Sequence, residues 1–139
     1  MDERSEQFLE SSLESVDRAE EVVLEMARRA GFGEDELADI GMAVRESMVN
    51  AVVHGNRYSG HKKVRVRLSL DDKRLTIQIA DEGEGFELES LPDPLAQDNL
   101  LRHSGRGIFL IRAFMDEFDV RRLSPHGTEA TLVKYVGSK

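Results

Sequence analysis

A chain of 139 residues carrying 27 acidic against 19 basic side chains has a formal net charge of −8, which excludes an extended phosphate-backbone contact surface and favours a basic protein surface as partner. It contains no cysteine, so disulfide frameworks and cysteine-based metal or redox chemistry are excluded. Hydrophobic residues make up 40% without any apolar run near the roughly 20 residues that cross a bilayer, so one globular domain over residues 1–139 is expected and no membrane span.

The start, Met1-Asp-Glu-Arg-Ser-Glu6, is acidic and polar. A secretory signal needs a basic beginning and an apolar stretch, so a cytoplasmic protein is expected. Ser5 to Ser12, with Phe8 and Leu9 as its apolar anchors, reads as an edge strand. From Leu13 the apolar positions Val16, Val23, Ala27 and Ala30 keep helical spacing up to Gly31, a helix stop. A second helix runs from about Glu34 to His54, with Leu37, Ile40, Val44, Met48 and Ala51 forming one apolar stripe. Lys63 to Leu70 alternates without error, and Leu75, Ile77 and Ile79 alternate after Asp71-Asp72-Lys73, which together read as a β-hairpin. A polar stretch without clear periodicity follows, through Pro92-Asp-Pro94 to Ser104, of the kind that is functional or mobile. The apolar segment Ile108 to Met115 reads as a short buried helix. Strands over about Glu117 to Leu123 and Thr128 to Val136 flank a turn at Pro125-His-Gly127. This order implies an α/β sandwich: one antiparallel or mixed sheet with helices over one face.

Four polar or glycine-rich blocks punctuate these elements. On the second helix Glu46, Asn50 and His54 are spaced i, i+4, i+8 and rise along one side, opposite the apolar stripe. A solvated helix face is the plain explanation. The chemical one is that an amide oxygen at Asn50 suits a hard cation such as Mg²⁺, while Glu46 can take a proton from an attacking hydroxyl. Asp81 continues the alternation of Leu75, Ile77 and Ile79, so it points inward. An ionised carboxylate there persists only with N–H donors, such as the amine of an adenine, unless it caps the loop that follows. Gly83 and Gly85 allow backbone to approach a flat ligand closely. Ser104-Gly-Arg-Gly107 stands ahead of a helix, where unpaired amides and the helix dipole attract phosphate, and Arg102, His103 and Arg106 add cationic character. It also reads as an ordinary loop-to-helix transition. Gly127-Thr128 by itself is a tight turn entering a strand. The four together point to one ligand, ATP with magnesium.

Taken together, these blocks resemble the asparagine box, the two glycine boxes and the final Gly-Thr box of the GHKL ATPases. Within that superfamily, Glu46-Ser-Met-Val-Asn-Ala-Val-Val-His-Gly55 and Ser104-Gly-Arg-Gly-Ile-Phe-Leu-Ile-Arg-Ala-Phe-Met-Asp-Glu117 are similar to stretches of the anti-sigma factor serine kinases. The resemblance implies the Bergerat α/β sandwich over nearly the whole chain. It implies Glu46 as general base, Asn50 as magnesium ligand, and Asp81 as adenine anchor with Thr128 supporting it. Gly83 and Gly85 would shape the adenine pocket, and Gly105 and Gly107 would hold phosphates beneath a lid from about Pro94 to Ser104. It further implies phosphorylation of a serine or threonine on a STAS-domain anti-anti-sigma protein, sequestration of a sigma factor, and a homodimer. His54, His103, Ser104 and Arg106 complete the expected nucleotide contacts. In one respect the chain departs from some members of the family: His103 stands where they carry an arginine before the Ser-Gly pair, leaving Arg102 or Arg106 to meet the γ-phosphate. A nucleotide-gated module that binds a regulator without catalysis is the alternative of a different class, and a detached histidine-kinase catalytic domain is a third.

Overall fold

In the computed structural model, residues 2–83 and 103–137 are described, with 103–107 as backbone only. The architecture is a five-stranded sheet with three helices. The strands are β1 (Glu3–Glu10), β2 (Lys63–Leu70), β3 (Arg74–Asp81), β4 (Glu117–Arg122) and β5 (Thr128–Tyr135). Their order in the sheet is β1-β2-β3-β5-β4, and every pairing is antiparallel. Of the two expected forms, antiparallel or mixed, the sheet among the described residues takes the antiparallel one.

β1 begins two residues earlier than expected and occupies the edge, paired along its length with β2 from Glu3↔Leu70 to Glu10↔Lys63. Its charges bond across to the neighbour, as in Arg67 to Glu6 at 3.0 Å and Lys63 to Glu10 at 3.3 Å. Charged side chains on an edge also discourage further strand addition.

The helices are α1 (Leu13–Ala30), α2 (Glu34–Val49) and α3 (His103–Phe114). α1 ends where Gly31 adopts φ 93°, its N–H returning to the carbonyls of Ala27 and Arg28, a glycine stop. Val16, Ala19 and Val23 of α1 and Ile40, Val44 and Met48 of α2 are buried. They pack with Val64, Val66 and Leu68 of β2 and Leu75, Ile77 and Ile79 of β3 in one core. Period-2 alternation thus supplies one apolar sheet face and period-3.6 spacing supplies the helical layer above it.

The other sheet face carries a buried carboxylate. Glu129 is 1% exposed and accepts from Arg65 at 2.6 Å and Arg121 at 2.8 Å. Register places Arg65, Ala80, Glu129 and Arg121 in one row across four strands. The small Ala80 lets Arg65 pass over it, and two guanidiniums satisfy a charge that alone would be costly to bury.

α3 differs from expectation in two ways. The helix already includes residues 103–107, so the Ser104 to Gly107 block lies in its first turns and not ahead of it. Nor is the helix buried all round: Ile108 and Ile111 face the core, whereas Phe109 is 49% and Leu110 37% exposed.

Candidate functional site

The site forms where the end of α2 meets the ends of β3 and β5. Past Val49 the helical ladder widens into a π turn over Asn50–Gly55, closed by the Asn56 N–H on the Ala51 carbonyl at 2.8 Å. Such turns are rare and concentrate at functional positions. The extra residue per turn breaks the expected line of three side chains. Glu46 is half-buried and Asn50 enters the cleft between α2 and the sheet, but His54 is exposed and is not among the described residues lining that cleft.

Across the cleft, register pairs Asp81 with Thr128 at the adjoining ends of β3 and β5. As alternation required, the Asp81 side chain is inward, 8% exposed. Its Oδ1 accepts the Gly83 N–H at 2.9 Å, and the Thr128 backbone N–H donates to it as well. Burial pushes the carboxyl up to about 6, with these two donors opposing the shift. Asp81 is thus a carboxylate held ready at the floor of an apolar cleft walled by Ile79, Ile108 and Ile111.

Glycines press directly on it. A Cβ on Gly55 would meet the Asp81 carboxylate, with Cγ at 2.5 Å and Oδ1 at 2.9 Å, and one on Gly83 would meet the Gly55 carbonyl. Gly127 has φ +115°, and a Cβ there would lie 2.5 Å from the Asp81 carbonyl oxygen. Gly55→Ala is therefore expected to destabilise the fold by about 1–3 kcal/mol through overpacking and to weaken nucleotide binding by displacing Asp81. Urea denaturation and calorimetric titration with ATP measure the two effects.

Asn56, 1% exposed, locks the arrangement. Its Oδ1 accepts the Glu82 N–H at 2.7 Å, and its Nδ2 donates to Ser11 Oγ and to the Lys63 carbonyl, both at 3.0 Å. One amide side chain thereby ties the end of the π turn to β1, β2 and the residue after Asp81. Neither Asn56 nor Ser47 stands out in the sequence as a site residue. Ser47 was detectable in principle, since it lies three residues before Asn50 and therefore on the same side of α2.

Three buried oxygens in the cleft have no hydrogen-bond partner among the described residues: Ser47 Oγ, Asn50 Oδ1 and Thr128 Oγ1. Native interiors seldom leave such groups unpaired, and a cluster of them beside a buried carboxylate fits a polar ligand. An amide oxygen, two hydroxyls and a carboxylate suit a nucleotide base and a hard cation. No group of three or more His, Asp or Glu that could hold a metal occurs among the described residues. Mg²⁺ needs none when substrate phosphates and water supply most of its coordination and the protein adds one or two oxygens.

Gly85, and the expected lid up to residue 102, lie outside the described residues. So do the side chains of His103, Ser104 and Arg106, whereas the backbone at Gly105 and Gly107 is helical. The Gly105 amide therefore falls among the first four of α3, which have no intrahelical partner, whereas Gly107 lies four residues into the helix, where the i to i−4 ladder has begun.

The histidine kinase-like ATPase domain matches residues 9–134. The chain is 31% identical over 120 residues to the serine-protein kinase RsbW of Oceanobacillus iheyensis, covering 82% of this chain and 75% of that protein. It is 29% identical over 120 residues to the protein of the same name from Listeria monocytogenes, with the same coverage. Similarity extends to the anti-sigma F factor of a Thermoanaerobacter species, 32% identical over 108 residues that make up 75% of this chain and 73% of that one.

Proposed function

We propose that this chain, which belongs to the histidine kinase-like ATPase family, is an ATP-dependent serine/threonine-protein kinase acting as an anti-sigma factor. Relatives named serine-protein kinase and anti-sigma F factor support the reading. The observation that carries it is local: the buried carboxylate of Asp81 shares one cleft with the unpartnered oxygens of Ser47, Asn50 and Thr128.

Asp81 accepts the exocyclic amine of adenine with the acceptor capacity that the Gly83 and Thr128 amides leave open, and the Thr128 hydroxyl supports the same edge of the base. Gly55, Gly83 and Gly127, packed against the Asp81 side chain, the Gly55 carbonyl and the Asp81 carbonyl, hold the carboxylate in place, and Gly83 with Gly85 shapes the adenine pocket. Asn50 offers its amide oxygen to Mg²⁺, with Gly85, Ser104 and Arg106 as further nucleotide contacts and His103 beside them. When bound, the ion neutralises charge on the phosphates and orients them. Gly105, in the first turn of α3, offers its backbone N–H to phosphate oxygens, and Gly107, without a side chain, lets them approach the helix closely. Glu46, one turn before Asn50 on α2, takes the proton from the hydroxyl of an incoming serine or threonine while the γ-phosphoryl group moves to that oxygen in line.

The substrate in this reading is a STAS-domain anti-anti-sigma protein, and the sequestered partner is a sigma factor. The kinase works as a homodimer in the cytoplasm. No helix among the described residues is long and apolar enough to cross a membrane. To test the reading, the protein is incubated with γ-labelled ATP and a STAS-domain protein from the same genome. Label on a serine or threonine of that protein supports the kinase. ATP-dependent changes in partner affinity with no phosphate transferred would instead mark a nucleotide-gated binding module.

A further inference from the structure

The buried carboxylate of Glu129 stands directly behind the adenine anchor. Asp81 and Thr128 form one register pair and Ala80 and Glu129 the next, so alternation sends Asp81 and Thr128 into the cleft and Glu129 to the opposite sheet face. Thr128 is the first residue of β5, just past the Gly127 turn, and chain ends of this kind open readily unless they are tied down. Yet its backbone N–H is one of the two that hold the Asp81 carboxylate.

Glu129 supplies the tie. Arg65 of β2 donates to its Oε2 at 2.6 Å and Arg121 of β4 to its Oε1 at 2.8 Å. Both oxygens are thereby engaged, from strands on opposite sides of β5. A buried ion pair adds little net stability, because desolvation offsets the attraction. Two guanidiniums on one carboxylate do fix its direction, and with it the residue before Glu129. Resting on the reading of this cleft as an ATP site, we propose that Glu129, clamped by Arg65 and Arg121, is a positioning residue for the nucleotide. It touches no ligand, but it holds the start of β5 so that the Thr128 N–H and hydroxyl stay at Asp81 and the base edge.

The experiment compares the full chain with Arg121→Ala, Glu129→Gln and, as a control, Arg67→Ala. Two quantities are measured: the Asp81 titration midpoint without nucleotide, by carboxyl-carbon NMR, and ATP affinity by calorimetry. Loosening the Thr128 N–H bond to the charged form should raise the midpoint by about 0.4–1 pH unit in both clamp variants. ATP binding at pH 7 should weaken about two- to tenfold. Through-space charge alone would move the midpoint in opposite directions, up when Arg121 is lost and down when Glu129 is. Lys62 and Glu82, whose charges also act on Asp81, are kept in every variant. Arg121→Lys retains the charge without the planar fork, so it carries the same test should Glu129→Gln fail to fold. Arg67→Ala removes an ion pair that joins β1 and β2 on the same face and should leave both quantities at the parental values. Opposite shifts in the two clamp variants, no shift in either, or an equal shift in Arg67→Ala would overturn the positioning role. A parent that binds no ATP, with the midpoint still raised in both variants, would overturn the nucleotide reading and sustain the clamp.

Discussion

Asp81→Asn is expected to weaken ATP binding about 100-fold or more while making the empty protein harder to unfold at pH 7. Both effects come from the same burial. Burial pushes the carboxyl up to about 6 in the fold, from its ordinary 3.8. Between those pH values the folded state holds a proton that the unfolded chain has released, so stability falls as pH rises from about 4 to 6 and the penalty stays in full above that. Two units correspond to about 3 kcal/mol. Asparagine removes the penalty but loses one acceptor for the Gly83 and Thr128 amides, which costs about 1 kcal/mol. A gain of about 1–2 kcal/mol at pH 7 remains, readable as a higher denaturation midpoint. For the ligand the exchange is unfavourable, because asparagine sets an NH₂ where the adenine amine needs an acceptor. The parent's ATP affinity should rise with pH through about 6 as the carboxylate forms, and that dependence should vanish in the variant. A pH-independent parent, or a variant that still binds ATP tightly, would remove Asp81 from the adenine contact.

The second large effect belongs to Glu46. Glu46→Gln keeps the size of the side chain and its place on α2 but cannot accept a proton. Phosphoryl transfer to the proposed STAS-domain substrate should fall by about 10²–10⁴-fold, the usual contribution of a general base. ATP affinity should stay within a factor of about two, since on this reading the carboxylate touches the incoming hydroxyl and not the nucleotide. Single-turnover transfer of γ-labelled phosphate measures the first and calorimetry the second. Undiminished transfer would leave the base to another residue.

Sequence period was informative wherever one face of an element is buried. Leu75, Ile77 and Ile79 predicted the inward direction of Asp81 two residues beyond them, and Gly31 marked the end of α1. Period carried less information where neighbours decide. An all-apolar run such as Ile108 to Leu110 has no polar face from which to read orientation, so the exposure of Phe109 and Leu110 was invisible. Glycine's poor helix propensity placed the start of α3 after Gly107, whereas the helix already spans residues 103–107. The π turn also escaped the i, i+4, i+8 reading, because nothing in Asn50 to Gly55 distinguishes an i+5 bond from an i+4 bond. With it went the expected alignment of His54. Ser47 and Asn56 matter through partners, or the lack of them, that only the assembled fold reveals.

The amide of Asn56 bears on more than local geometry. Its bonds reach Ser11, 45 residues away, and Glu82, 26 residues away, and the Asp81–Thr128 pair spans the connection that contains α3. The contacts that join the walls of the cleft are therefore long-range, and no single hairpin or helix contains the site. A nucleotide that recognises this cleft recognises only the completed chain topology, so its binding energy is added to global stability. At 100 times its dissociation constant ATP should add about 2.7 kcal/mol. The amides of β2 and β3, inside the sheet, are expected to be among the slowest to exchange with solvent and should slow in step with those beside the cleft.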